Sequence, residues 1–115
     1  MKEKRRYPRI KTENLLSYEG IDENGNQAER GMGKTLDISQ GGLLMEAAVP
    51  VEAKFVLLMS LDIKEEPIKI KGKVVYSREA EAKIFHTGVR FIETTEKINT
   101  FIKGMITDFI YKKSN

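Results

Sequence analysis

The sequence is dominated by short apolar segments of strand length, separated by turn signals at fairly even spacing. Six such segments occur, at residues 15–20, 28–36, 42–48, 54–61, 68–77 and 83–92. Asn24-Gly25 between the first two is a strong β-hairpin signal. The alternation of apolar and polar residues in the fifth segment is interrupted at Gly72, which predicts a bulge or bend of the kind that closed sheets require. Six short strands with this spacing predict an antiparallel sandwich or barrel.

The C-terminal part of the sequence changes period and predicts an amphipathic helix over about residues 94–113. Thr94 or Thr95 is the expected N-cap, and Gly104 is interpreted as a point of close packing. The apolar stripe is expected to pack against the outside or mouth of the same barrel, and the alternative is a partner helix in a dimer. The stripe comprises Ile98, Phe101, Ile102, Met105, Ile106, Phe109 and Ile110.

Composition places limits on the class of protein. The 115 residues suffice for one domain, and the chain contains no cysteine for disulfides or thiolate metal sites. No apolar run approaches the roughly 18 residues of a membrane span, and the N-terminus does not resemble a secretory signal. The sequence therefore predicts a cytoplasmic protein without membrane insertion.

The positive charge is concentrated at the N-terminus. Residues 1–11 contain six cationic side chains against Glu3, a net charge of +5 that leaves −2 for the remainder of a chain whose total is +3. A protein that binds duplex nucleic acid usually spreads its positive charge over a face of the fold. This distribution instead favours a small anion that is bound by an N-terminal arm, or an arm that contacts a partner.

Two short motifs carry chemistry that suits an anionic guanine ligand. The first, RRYPR, contains Arg5 and Arg9, whose guanidinium groups can pair with phosphate oxygens and stack on a base. The second, DISQGG, begins at Asp37, whose carboxylate can accept from the N1–H and N2–H₂ groups of guanine. A hydroxyl from Ser39 and a close backbone approach at the glycines complete the expected set.

The two motifs resemble the RxxxR and [D/N]xSxxG motifs of the PilZ domain family. The resemblance extends over nearly the whole chain and includes VVYS at residues 74–77 and TGVRF at residues 87–91. It implies a six-stranded antiparallel β-barrel of the split-barrel type, with a basic ligand-binding arm at residues 1–12 and the barrel with its C-terminal helix at residues 13–115. It also implies that the protein is a bacterial receptor for the second messenger cyclic di-GMP, with no cofactor.

The resemblance also implies roles for individual residues. Arg5 and Arg9 would grip the phosphates and stack on guanine, Asp37 would read the guanine edge, Ser39 would hydrogen-bond the ligand, and Gly42 would hold the turn close to it. Four further candidates are Lys4, Arg6, Gly41 and Tyr76. Tyr76 would flank a base, and Lys4 and Arg6 would help a second stacked ligand molecule to bind.

The expected mechanism is that ligand binding orders the arm and creates a surface that a protein effector recognises. Such a stand-alone adaptor, a monomer or weak homodimer, would act in motility or biofilm regulation. Two alternatives remain at this point, a small barrel that binds RNA or single-stranded DNA and a PilZ-like protein that no longer binds ligand. An enzyme is not expected, because no pair of carboxylates suits acid–base work and His86 is the sole histidine, which also excludes a histidine metal cluster.

Overall fold

The computed structural model describes the backbone of residues 10–60 and 68–114 and the side chains of residues 14–59 and 68–107. The predicted site residues Lys4, Arg5, Arg6 and Arg9 lie outside the described residues. The elements are β1 (Ile10–Ile21), β2 (Gln27–Ile38), β3 (Gly42–Ala47), β4 (Phe55–Ser60), β5 (Ile70–Glu81), β6 (Ile84–Phe91) and α1 (Glu96–Ser114). β1 already begins at Ile10, so residues 10–12, which the sequence assigned to the arm, belong to the sheet.

The six strands form a closed antiparallel barrel in the order β1-β2-β3-β6-β5-β4. Two three-stranded meanders, β1–β3 and β4–β6, join through the β3–β6 and β1–β4 pairs, and all six pairings are antiparallel. The predicted fold class is therefore confirmed.

The barrel interior is filled by inward-facing side chains from every strand. Tyr18, Ile38, Met45 and Val56 are among those that are almost fully buried. Burial raises the pKa of the Tyr18 phenol, and the negative charge of Glu29 acts in the same direction. At one end of the barrel, Val51 of the β3–β4 connection is buried. The backbone N–H of Val51 donates to Ser77 Oγ at 2.9 Å.

The other end of the barrel is closed by α1. Thr95 Oγ1 accepts from the N–H of Ile98 at 3.2 Å, so Thr95 acts as the N-cap. Ile102 and Met105 are buried in the same core as the strands, with Ile98, Phe101 and Ile106 packed against it. In the described part of the helix, the stripe thus packs on the mouth of its own barrel, as the favoured prediction stated. None of the described helices is long and apolar enough to span a membrane.

Two interpretations of glycines are corrected by the structure. A side chain at Gly104 would meet nothing within 4 Å, so this glycine does not mark close packing. Gly72 lies inside the barrel, where the side chain of Val89 occupies the space that a Cβ would need, and its pairing is regular. The register shift in β5 lies between Val74 and Tyr76, which leaves the exposed Val75 as the extra residue.

Candidate functional site

The DISQGG motif forms the end of β2, a tight turn and the start of β3. The N–H of Ser39 donates to the carbonyl oxygen of Gly42 at 2.8 Å, and Ser39 Oγ accepts from the N–H of Gly41 at 3.2 Å. The carbonyl oxygen of Gly41 accepts from the N–H of Phe91 at 2.9 Å, which fixes the turn to β6. Ser39 is buried, so its hydroxyl shapes the turn. Gly41, one of the four further candidates, supplies backbone groups to the turn.

A bulge directs Asp37 to the outside of the barrel. Thr35 pairs with Met45 and Asp37 pairs with Leu44, so Leu36 is an extra residue in β2. Thr35 and Ile38 are both buried, which a regular strand with period two would not permit. Because Ile38 points into the core, the neighbouring Asp37 faces the outer surface, where it is half-buried.

Gly42 is required by the packing of two strands. A Cβ at this position would overlap the carbonyl oxygen of Val89 in β6. Its missing side chain therefore lets β3 approach β6 and holds the turn at the rim of the barrel.

The chain enters the barrel beside this turn. Ile10 pairs with Ile38 and Lys11 pairs with Asp37 in the β1–β2 register. The sequence that carries the RxxxR motif therefore joins the sheet next to the DxSxxG motif, although Arg5 and Arg9 themselves lie outside the described residues.

Asp37 and Tyr76 belong to one transverse row of paired residues. Asp37 pairs with Leu44, Leu44 with Gly88, and Gly88 with Tyr76. Paired residues point to the same face of a sheet, and the flanking residues Leu43, Met45, Thr87 and Val89 are buried in the barrel. The row therefore lies on the outer face, and Gly88 is two strand spacings, about 10 Å, from Asp37.

Tyr76 and Arg78 form a stack at the far end of this row. A Cβ built on Gly88 would lie 2.7 Å from Cε2 of Tyr76, so the tyrosine ring covers the glycine. The guanidinium carbon of Arg78 lies 4.8 Å from the centroid of the same ring. This geometry is a cation–π contact, and 39% of the tyrosine remains exposed.

Sequence reasoning missed the cationic neighbours of this row. Arg78 and Arg90 lie on the outer face of β5 and β6, two residues from Tyr76 and Gly88 respectively, and both are exposed. On the next row, Glu46 contacts both His86, at 3.4 Å between Oε1 and Nε2, and Lys34, at 3.9 Å between Oε2 and Nζ. The alternation of GVRF gave a usable signal for Arg90, because it puts Gly88 and Arg90 on one face. The same spacing of two residues links Arg78 to the candidate Tyr76, but the bulge at Val75 means that the alternation of the earlier part of β5 does not tell which face this pair occupies. Within the described residues, no cluster of acidic and histidine side chains could hold a metal ion.

The fold and the site together define a class of protein, a small closed barrel with a polar turn at its rim and an exposed mixed basic and apolar outer face. Residues 3–110 match the PilZ domain family, and the chain belongs to that family.

Solved structures show the same fold. The PilZ domain with c-di-GMP of YcgR from Escherichia coli matches with a TM-score of 0.72 and 12% identity, over 96% of this chain and 95% of that one. The MrkH–c-di-GMP complex from K. pneumonia matches with a TM-score of 0.72 and 19% identity, over 98% of this chain and 54% of that one. The inhibitor of motility MotI/DgrA from Bacillus subtilis matches with a TM-score of 0.69 and 13% identity, over 98% of this chain and 53% of that one. The chain thus spans about half the length of the latter two proteins. No curated protein sequence matches this chain.

Proposed function

We propose that this protein is a receptor for cyclic di-GMP that binds the ligand on the outer face of the barrel, between the DISQGG turn and Tyr76. The observation that carries the proposal is the shared row of Asp37 and Tyr76 on one outer face, beside the point where the chain carrying RRYPR enters the sheet. Family membership and two similar structures described with c-di-GMP support the same ligand.

The arm is long enough to reach this face. Arg9 directly precedes Ile10 in the sequence, and Ile10 pairs with Ile38 at the end of β2. Arg5 is five residues from Ile10, a distance of at most about 18 Å along an extended chain. Both guanidinium groups can therefore meet a ligand bound at Asp37.

Each motif residue has a distinct proposed role. Asp37 accepts from the donor edge of one guanine, and Arg5 and Arg9 contact the phosphates and cover the ligand. Ser39 and Gly42 act mainly by shaping and positioning the turn, since Ser39 is buried and Gly42 packs against β6. Lys4 and Arg6 add positive charge that would reduce phosphate repulsion if two ligand molecules stack.

Binding would signal through the arm. Residues 1–11 carry a net charge of +5, and their mutual repulsion is relieved when phosphates bind between them. The ordered arm and ligand then present a new surface to a protein effector. One of the similar solved structures is that of an inhibitor of motility, and a role in motility or biofilm regulation in the cytoplasm is proposed on this basis. We also propose that the domain acts without catalysis, as a monomer or weak homodimer.

The rival function is binding of RNA or single-stranded DNA. The described outer face contains a stacked Tyr76 and several cations, which suit a nucleic acid in type. However, the charge outside residues 1–11 sums to −2, which disfavours a long polyanion. A salt series separates the two functions, because single-strand affinity falls by about 0.7 log units per log unit of salt for each phosphate contacted.

Calorimetric titration of the purified protein with cyclic di-GMP tests the proposal directly. Selective binding near micromolar affinity, absent with GTP and cyclic di-AMP, is the expected result, and the molar ratio gives the number of ligand molecules. Asp37→Ala and Arg9→Ala should each weaken binding at least tenfold, which corresponds to about 1.4 kcal/mol.

Arg30→Ala is the matched control, because this exposed arginine lies in β2 seven residues from Asp37, about 23 Å along the strand. It should bind like the wild type. A folded protein that gives no heat with cyclic di-GMP would reject the receptor function.

A further inference from the structure

From the stack of Arg78 on Tyr76 we infer that Arg78, and not the tyrosine ring, is the surface on which the second guanine of the ligand stacks. The inference rests on the proposed receptor function and specifies how the far end of the site recognises its ligand. It concerns the base that Asp37 does not read.

The tyrosine ring contacts two neighbouring residues. It lies against Gly88, since a Cβ on this glycine would fall within 3.2 Å of three ring atoms. Arg78 lies over the ring, with its guanidinium carbon 4.8 Å from the ring centroid. A base could stack on the ring face that Arg78 covers only by displacing Arg78 and losing the cation–π contact.

Arg78 lies over the ring and is itself exposed, so a base can reach its guanidinium group from solvent. Arginine is a planar, weakly hydrated cation that stacks well on aromatic rings on either side of its plane. The side chain is exposed, and its cation–π contact with the Tyr76 ring restricts the guanidinium group. A guanine stacked there would add one further layer to the contact between Tyr76 and Arg78.

The position of the stack fits a ligand with two bases. The ring covers Gly88, which lies about 10 Å from Asp37 along the row. One guanine at the Asp37 carboxylate and the other at Arg78 would leave the phosphates between them, near the point where Lys11 pairs with Asp37 and the arm begins. Positive charge from Arg90, two residues from Gly88 on the same face, adds to the field on these phosphates.

Substitutions separate stacking from charge. Arg78→Lys keeps the positive charge but loses the plane, and Arg78→Ala loses both. We expect each to weaken cyclic di-GMP binding by about five- to thirtyfold in calorimetric titrations, the range of a partly desolvated cation–π stack. Tyr76→Ala should also weaken binding, because Arg78 then loses the ring that supports it.

A double-mutant cycle gives a second readout. If the two side chains act as one stack, Tyr76→Ala combined with Arg78→Ala should weaken binding no more than either substitution alone. Arg30→Ala controls for loss of one surface charge, and thermal unfolding followed by circular dichroism checks that every variant is folded.

The possible outcomes distinguish the inference from the proposed function. Wild-type binding together with unchanged affinity of Arg78→Lys would overturn the stacking role and leave the receptor function in place. Additive losses in the double mutant would also overturn it, because the two residues would then contact the ligand independently. Absence of binding by the wild type would reject the receptor function itself, and the inference with it.

Discussion

The ring of Tyr76 lies across Gly88 on the neighbouring strand and takes the place that a side chain at residue 88 would occupy. Three ring atoms would lie between 2.7 and 3.2 Å from a Cβ on this glycine. The glycine and the tyrosine are directly paired in the β5–β6 register, so the contact is a cross-strand pair on the outer face. The orientation of an exposed aromatic ring is thus set by the absence of a side chain opposite it.

Gly88→Ala should affect binding more than folding. The clashing group is an exposed ring that can rotate away, so we expect a loss of stability of at most about 1 kcal/mol. The displaced ring would no longer support Arg78, and cyclic di-GMP affinity should fall several-fold in a calorimetric titration. Full affinity in a folded Gly88→Ala protein would show that the ring position is unimportant for the ligand.

Gly42→Ala, in contrast to Gly88→Ala, should mainly affect the stability of the fold. Its Cβ would overlap a backbone carbonyl oxygen, that of Val89, and a backbone atom cannot move without separating β3 from β6. We expect destabilisation of at least about 2 kcal/mol, in the range of overpacked buried sites. Urea unfolding curves measure this, and a midpoint equal to that of Gly88→Ala would contradict the expected order.

Gly104→Ala should stabilise the protein. Residue 104 lies inside α1 and is exposed, with nothing within 4 Å of a built Cβ. Replacing a helical glycine by alanine contributes about 0.5–1 kcal/mol. For a domain of this size that should raise Tm by about 4 °C. A lower Tm would mean that this glycine contacts something in solution, such as a second copy.

Lys83→Asn should also stabilise the protein. Lys83 lies in the β5–β6 turn with φ of 63°, a left-handed conformation that asparagine tolerates better than lysine. The expected gain is about 0.5 kcal/mol, measured by urea unfolding. Lys83→Ala is the control, because it removes the same charge without relieving the backbone conformation and should not stabilise.

The buried phenol of Tyr18 should make the folded protein less stable at alkaline pH. Its pKa is raised above the ordinary value of 10.0 by burial and by the charge of Glu29, so the folded protein holds the phenolic proton more tightly than the unfolded chain. The corresponding stabilisation is fully present below pH 10 and is lost as the pH rises through the raised pKa.

Urea unfolding of the wild type and of Tyr18→Phe at a series of pH values measures this effect. The difference in free energy of unfolding between the two proteins should be constant below pH 10 and should decline above it. In absorbance at 295 nm, the Tyr18 phenol should ionise above pH 10, and Tyr18→Phe should lose that part of the signal. A constant difference through pH 11 would contradict the assignment.

The sequence predicted the elements of the fold better than their register. Alternation located all six strands and the period of 3.6 residues located α1, because these patterns follow directly from which side chains are buried. The bulges at Leu36 and Val75 were not predictable in the same way, since they depend on how neighbouring strands pair across the closed barrel. Gly72 was therefore mistaken for the bulge, although it is a regular interior position.

The same limit applies to the candidate site. The spacing of Asp37, Ser39 and Gly42 was visible in the sequence, but the outward direction of Asp37 results from the bulge beside it. Arg78 became a candidate only when the pairing of Tyr76 with Gly88 and the contact of its guanidinium with the ring were known. A motif can identify residues, whereas the face that they share depends on the register.

The packing of α1 on the mouth of the barrel has a mechanical consequence. Ile38 and Leu43 flank the turn, and they line, together with Phe101 and Met105 of the helix, a gap of only about 20 Å³. So small a void cannot absorb a displacement of the turn, because close-packed interiors transmit strain instead of cushioning it. The positions of the turn and of the helix are therefore coupled, and a displacement of the turn requires α1 to shift with it.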